Sequence, residues 1–450
     1  MIRGKMMKKK IFFGYDNWII GGVEKTLVNL MVGLSEEFDV TLIIPEIDIK
    51  KQYYKVPLSI KVIEVKKDKE LYKVMAQKIV ENNADLFVGN GNMNCEFLKI
   101  YLYLYEQNIP SIMVNHNFWD YPYMHEAFLS EIAETRNKNI IYPNMIVCLT
   151  QIASYICKKA TGKQVYTIGN MNIKNNKRVI TWNEKENIIL AIARFNDPVK
   201  RLDIILNFFS KIYKKNKSTK MIVVGTMNYE KIYGEKIIDT LKQLELPEDS
   251  VCFEGEQKQV EKYYNRAKIF LFASEAEGFG LVLNEAAGYG VPIISNYYLG
   301  VEDIITNGKN GFYYDETQEK EIDQAVHECI ALLQDKEKWE KMSTYAFEMT
   351  EQFSEKRIIE KWKYVIYKSL NIQIEDMFTM ETEYIPSQKE YEKYVMKSEM
   401  MMKDMVVRIN RSDNAQNMLR YMYEREKEEK KFNFKEKIIK KLCMKYRNRD

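Results

Sequence analysis

The chain is poor in the residue types from which metal and redox centres are built: of 450 residues, six are cysteine and three histidine. Cys95, Cys148, Cys157, Cys252, Cys329 and Cys443 are scattered, with no C-x-x-C pair. That excludes a zinc ribbon or a dithiol motif. Several stand in apolar runs such as MIVCLT and VCFEG, as buried reduced thiols in a reducing compartment would. There is no Walker A sequence and no G-x-S-x-G elbow, so P-loop and hydrolase chemistry are not indicated. D-x-D is also missing, and with it the usual acidic grip on a metal–diphosphate complex. The stretch GNGNMN at 89–94 begins like a dinucleotide fingerprint but lacks the third glycine. No acid ends the following strand-like run, IMVNH, to hold a ribose, which sets aside a dehydrogenase. No run of about 18 apolar residues occurs, so no membrane span is expected. The opening MIRGKMMKKKIFFGYDNWII imitates a signal peptide, but Asp16 and Asn17 interrupt it and no small-residue cleavage site follows. A first strand with a basic lead, in a cytoplasmic protein, is the expectation. No fixed-period repeat is visible.

What is present is an ordinary globular composition, 46% hydrophobic and 29% charged, in a chain long enough for two or three domains. The net charge of +4 is unevenly spread. Residues 431–450 carry eight Lys/Arg against two acids, residues 1–10 carry five basic groups and no acid, and the body between them is left at −7. Basic poles on an acidic body suit an anionic surface better than a nucleic-acid groove, although solvated termini would look the same.

Short apolar runs alternate with amphipathic stretches from residue 10 to about 335. KIFFGYD, DVTLIIP, IKVIEV, DLFVGN, SIMVNH and MIVCLT read as strands, with helices over 22–35, 69–82 and 92–107 among the stretches between. Near-continuous apolar strands belong in parallel sheets covered on both faces, and β-α alternation implies a doubly wound domain. The polar, Asn-rich stretch 162–187 breaks the pattern. It restarts with NIILAIARF, TKMIVVGT, SVCFEG, KIFLFAS and VPIIS. From about 337 the chain turns helical, and Ser354 is a plausible N-cap. The expected organisation is an α/β fold of two Rossmann-like domains, 1–175 and 176–370, facing a cleft, followed by a helical basic extension over 371–450.

Three constellations carry chemistry. In SEAEGFGLVLNEAAGYG a strand leads through Gly278 and Gly280 into a helix starting near Leu281. The first-turn amides of such a helix form an anion site from backbone alone. Glu277 in the loop and Glu285 in the second turn would flank it, although the isolated pair could be ordinary surface acids. In ARFNDPVKRLD, Arg194 ends a strand and Lys200 and Arg201 begin the next helix, a pair of cations suited to a diphosphate or, taken alone, simply a basic loop. In FFGYDNWIIGGVEKTLVNL, Gly21 and Gly22 precede a helix and would admit a phosphate closely. His116, beside Asn115 and Asn117, follows a strand at its carboxyl edge; Trp119, Tyr121, Tyr123 and His125 would form an aromatic wall for an acceptor sugar, or merely pack a loop.

Together these residues resemble the retaining GT-B glycosyltransferases of family four, which carry an E-x7-E motif, over roughly residues 10–370. EGFGLVLNE (Glu277 to Glu285) with AAGYGVPIIS carries the likeness most strongly. ARFNDPVKRLD, GGVEKTLVNL and the segment VCFEGEQKQVEKYYNRAKIFLFAS support it, as does YTIGNMN, where Gly169 replaces the proline of an I-P-N signature. The resemblance implies that Glu285 binds the nucleotide ribose and Glu277 the donor sugar. Arg194 and Lys200 would neutralise the departing diphosphate, helped by backbone amides of Gly278, Phe279, Gly280 and Leu281. Gly21 and Gly22 would close from the opposite domain, and His116 would contact the sugar near the reacting carbon. It further implies transfer of a hexose or acetamidohexose, with retention, from a UDP-linked donor to a glycan or lipid-linked acceptor, needing neither metal nor cofactor. An isomerase or phosphorylase of the same fold, or a non-catalytic binding partner, would share most of these features. Beyond the resemblance, KFNFKEKIIKKLCMKYRNRD reads as a basic amphipathic helix that docks peripherally on an anionic inner membrane face, or else as a surface helix. No nucleic-acid partner is expected.

Overall fold

The computed structural model describes residues 7–15, 18, 22–46, 55–90, 97–116, 139–140, 142–172, 181–226, 232–373 and 384–386. Two parallel sheets organise them. The first contains β1 (Lys10–Gly14), β2 (Asp39–Pro45), β3 (Lys61–Val65), β4 (Leu86–Gly89), β5 (Ser111–Asn115), β6 (Met145–Cys148) and β7 (Gln164–Thr167), in the order β3-β2-β1-β4-β5-β6-β7. Between its strands run α1 (Gly22–Ser35), α2 (Leu71–Glu81), α3 (Phe97–Glu106) and α4 (Gln151–Thr161). The second contains β8 (Glu186–Ile192), β9 (Lys220–Val224), β10 (Val251–Gly255), β11 (Ala267–Phe272), β12 (Ile293–Asn296) and β13 (Gly311–Tyr314), in the order β10-β9-β8-β11-β12-β13. Its helices are α5 (Leu202–Lys215), α6 (Ile232–Leu244), α7 (Glu261–Arg266), α8 (Leu281–Gly288), α9 (Glu319–Gln334), α10 (Lys336–Met349) and α11 (Glu355–Ser369).

This is the expected GT-B architecture: two doubly wound Rossmann-like sheets with covering helices. Strands β1, β4, β5, β6 and β11 are buried along nearly their whole length, which is why they read as unbroken apolar runs. In each sheet the strand order reverses beside the first strand, between β1 and β4 and between β8 and β11. Such reversals leave a crevice at the carboxyl ends of the strands.

The sequence reading missed two strands. β7 lies inside the stretch read as a break, and β13 was not identified. Both are four-residue sheet-edge strands; β7 is buried at none of its positions and β13 only at its two ends. Cys252 is a second correction. It is exposed on the edge strand β10, whereas Cys148, Cys157 and Cys329 are buried as expected; Cys95 and Cys443 lie outside the described residues. Ser354 stands at the N-cap of α11, but its hydroxyl makes no capping bond. The expected boundary near residue 175 lies outside the described residues, as does nearly all of the extension.

The halves are tied together by packing. Helix α11, grouped with the second half by sequence order, lies against the first: Trp362 meets Phe13 at 6.5 Å between ring centroids, and Tyr367 meets Phe38 at 5.4 Å. In return Val199, Ala276 and Leu299, from loops of the second half, are buried among apolar residues of the first. A carboxylate from the second half also serves a helix of the first, since Gln151 N at the start of α4 donates to Asp303 Oδ2 at 2.9 Å. Gly169 follows the same logic. A Cβ there would come within 2.7 Å of Phe279 and 2.8 Å of Phe353, whose rings meet edge to face in the space a proline ring would need.

Candidate active site

The buried strand β11 delivers the loop Ser274–Gly280 to the crevice. Asn296, at the end of β12, pins this loop by accepting from Ser274 N at 3.0 Å and donating to Ser274 O at 3.0 Å. Gly280 then turns into α8 with φ +85°, a left-handed conformation in which a Cβ would sit 2.8 Å from the Tyr298 hydroxyl. The amino end of α8, the end at which a helix can bind an anion, follows directly on this turn.

A second loop is fastened to the first. Val199 O accepts from Glu275 N at 2.9 Å and from Ser274 Oγ at 3.1 Å. Arg201 takes up a left-handed conformation (φ 31°) and pairs with Asp203 at 3.1 Å and with Glu275 and Glu316 at 3.3 Å each. Arg201 therefore braces the junction, while Lys200 closes a short 3-10 turn ahead of α5 instead of starting that helix. The result brings together two predicted residues 77 apart in sequence: Lys200 Nζ lies 2.5 Å from Glu277 Oε1, with both side chains mostly buried. Arg194, just beyond β8, is exposed.

The first half presents α1 to this assembly. A Cβ on Gly22 would fall 2.3 Å from Leu281 Cδ1, so the amino ends of α1 and α8 face one another at close range. One turn further, Lys25 Nζ lies 2.7 Å from Glu285 Oε1, an ion pair across the crevice. The Tyr264 hydroxyl donates to Glu285 Oε2 at 3.3 Å. Burial, then the adjacent Glu285 carboxylate, hold its pKa well above the ordinary phenol value, so it remains a donor. A pocket between the halves is lined by Lys25, Asn29, Tyr264, Asn284, Glu285 and Tyr289. Its floor is fixed by Asn172, which donates to Asn284 O at 2.5 Å, and by the stacked rings of Tyr264 and Tyr289, 5.2 Å apart.

His116 follows β5 in the first half. Its Nε2 lies 2.7 Å from Asn90 Oδ1 at the end of β4. Burial pushes its pKa down to about 4, so the imidazole is neutral near pH 7.

The structure thus gathers Gly22, Lys200, Glu277, Gly278, Gly280, Leu281 and Glu285 at one junction between the halves. The Phe279 ring turns away into the core, leaving only its backbone for a ligand. Gly21, Asn117, Trp119, Tyr121, Tyr123 and His125 lie outside the described residues. The sequence reading missed Lys25, Asn90, Tyr264 and Asn284. Lys25, one turn beyond the Gly-Gly pair, was the one with a visible cue.

Residues 172–349 match the family model described as Glycosyl transferases group 1. The chain is a glycosyltransferase. An uncharacterized glycosyltransferase of Haemophilus influenzae is 26% identical over 373 residues, covering 80% of this chain and all of that protein. N-acetyl-alpha-D-glucosaminyl L-malate synthase of Bacillus anthracis is 31% identical over 191 residues, 42% of this chain and 47% of its own length. Among solved structures, Anabaena HepE in complex with UDP and glucose superposes with a TM-score of 0.64 at 17% identity, over 80% of this transferase and 99% of that chain. The family match begins at Asn172 and spans the sheet that carries Lys200, Glu277 and Glu285.

Proposed function

We propose that the enzyme transfers a hexose or acetamidohexose, with retention of anomeric configuration, from a UDP-linked donor to a glycan or lipid-linked acceptor in cell-envelope polysaccharide or glycoconjugate synthesis. The observation that carries this reading is the opposition of two helix amino ends, α1 at Gly22 and α8 at Leu281, beside Lys200. Each end carries roughly half a positive charge, so an anion between them relieves their repulsion and gains both. A diphosphate there leaves its sugar against Glu277 and its ribose against Glu285. The UDP and glucose bound to HepE, and the glucosaminyl chemistry in the name of the Bacillus relative, support the donor class.

In this mechanism the bond from the anomeric carbon to the β-phosphate oxygen breaks, and the electron pair leaves with the diphosphate. Lys200, Arg194 and the α8 amides stabilise that charge, so no metal is needed. The acceptor hydroxyl attacks from the face the leaving group vacates and loses its proton toward the departing phosphate oxygen. Neutral His116 supplies a hydrogen-bonding edge to the sugar and no charge. Glu277 orients the sugar and meanwhile holds Lys200. The basic segment 431–450 attaches the enzyme peripherally to an anionic inner membrane face, where a lipid-linked acceptor resides.

The test is a panel of nucleotide sugars assayed for binding and transfer with and without EDTA. UDP-sugars should bind, and transfer should persist in the chelator. Metal-restorable loss of transfer would reject the leaving-group assignment, and preference for another base would reject the UDP assignment.

A further inference from the structure

Asn90 is 3% exposed and sits where β4 meets the crevice. Its side-chain amide nitrogen is placed between two backbone carbonyls, Gly14 O and Val88 O, at 3.3 Å each, and its backbone N–H donates to Gly14 O at 2.9 Å. The opposite amide orientation would set Oδ1 against two carbonyl oxygens, acceptor against acceptor. The protein backbone thus decides which end of the amide meets His116, and that end is Oδ1, 2.7 Å from Nε2. A carbonyl oxygen accepts and cannot donate, so the proton of the neutral ring must sit on Nε2.

We propose that Asn90 is a positioning residue of this transferase: it locks His116 in the Nε2–H tautomer and so presents a bare Nδ1 as an acceptor for a hydroxyl of the donor sugar. The inference deepens the role of His116 proposed above and rests on that reading. It assigns a direction to the contact, from the sugar O–H to Nδ1. The lowered pKa of His116 agrees with a neutral ring. The chain of restraint runs from β1 through Gly14 O to Asn90 and then to the imidazole. Ring orientation is therefore set by the same switch point that opens the crevice.

The experiment is long-range 1H–15N correlation on the histidine side chains of the full chain, which has only three to assign. Wild type should show His116 as Nε2–H with a pyridine-like Nδ1. Asn90→Ala should mix the tautomers and lower kcat/KM about 5- to 10-fold, the worth of one neutral hydrogen bond near 1 kcal/mol. An unchanged circular-dichroism spectrum and urea midpoint in Asn90→Ala separate loss of the lock from loss of fold. An Nδ1–H tautomer in wild type, or one unaltered in Asn90→Ala, overturns the lock. A mixed tautomer with an unchanged rate overturns its role in transfer. Full activity in His116→Ala would overturn the role of His116 itself, and the tautomer measurement shows which of the two has failed.

Discussion

At the scale of single residues, charge placement decides most of what this enzyme can do. Lys200 and Glu277 form an ion pair, and Glu285 is held from both halves by Lys25 and Tyr264. Lys200→Ala and Glu285→Ala should each lower turnover at least about 100-fold, as removal of one transition-state partner does. Circular dichroism should show both variants folded; rates within a few-fold of wild type would remove these residues from the site. His116 allows a pH test. Its pKa is about 4 in the folded chain against about 6.5 when unfolded, so the unfolded chain takes up this proton first as pH falls. Stability from this group is thus complete above pH 6.5 and is lost between 6.5 and 4. At pH 5 the loss is at most about 2 kcal/mol. Urea midpoints at pH 7 and pH 5 should therefore differ more in wild type than in His116→Gln. Equal differences would mean that the ring is not held neutral by burial.

Among the structural elements, α8 matters most for the site, and its sequence is matched to its position. It begins on a left-handed glycine and carries no acid in its first turn to compete for the amides. Gly280→Ala should destabilise the protein by about 1–3 kcal/mol, combining the left-handed penalty with the close approach to Tyr298. Donor affinity should fall as well, because the amides would be re-aimed. Urea denaturation and UDP titration check both effects, and an unchanged pair would show that the turn tolerates a side chain. This element was legible in the sequence: the strand before it is apolar but for Lys268, and two glycines stand in the loop that leads into the helix. The edge strands β7 and β13 were not, because a half-buried four-residue strand has no pattern that distinguishes it from a loop. Arg201 looked like the first residue of a helix. In the structure its backbone is left-handed and its side chain pairs with Glu275 and Glu316, from distant loops.

For the whole molecule the charge distribution leads to a membrane test. Residues 431–450, outside the described part of the structure, carry eight basic groups and two acids. Each basic residue near an anionic leaflet gains about 1 kcal/mol, so roughly half of them would hold the enzyme reversibly. Full-length protein should sediment with anionic vesicles at low salt and release at high salt, and a chain ending at Lys430 should not sediment; equal behaviour would assign the tail another role. Within the described residues, no helix is long and apolar enough to cross a membrane. By itself the sequence determined the class of fold, the division of the strands between two sheets, the glycine-led helix α8 after a buried strand, and Lys200, Glu277 and Glu285 as neighbours of that helix end. Each of these depends on local periodicity or on spacing within one strand–loop–helix unit. Only the tertiary structure decided that Lys25 meets Glu285 across 260 positions, that Asn90 meets His116, and that α11 returns to the first sheet. Those contacts come from two sheets closing on one another, and nothing in the order of residues along either strand records which side chain the other half will present.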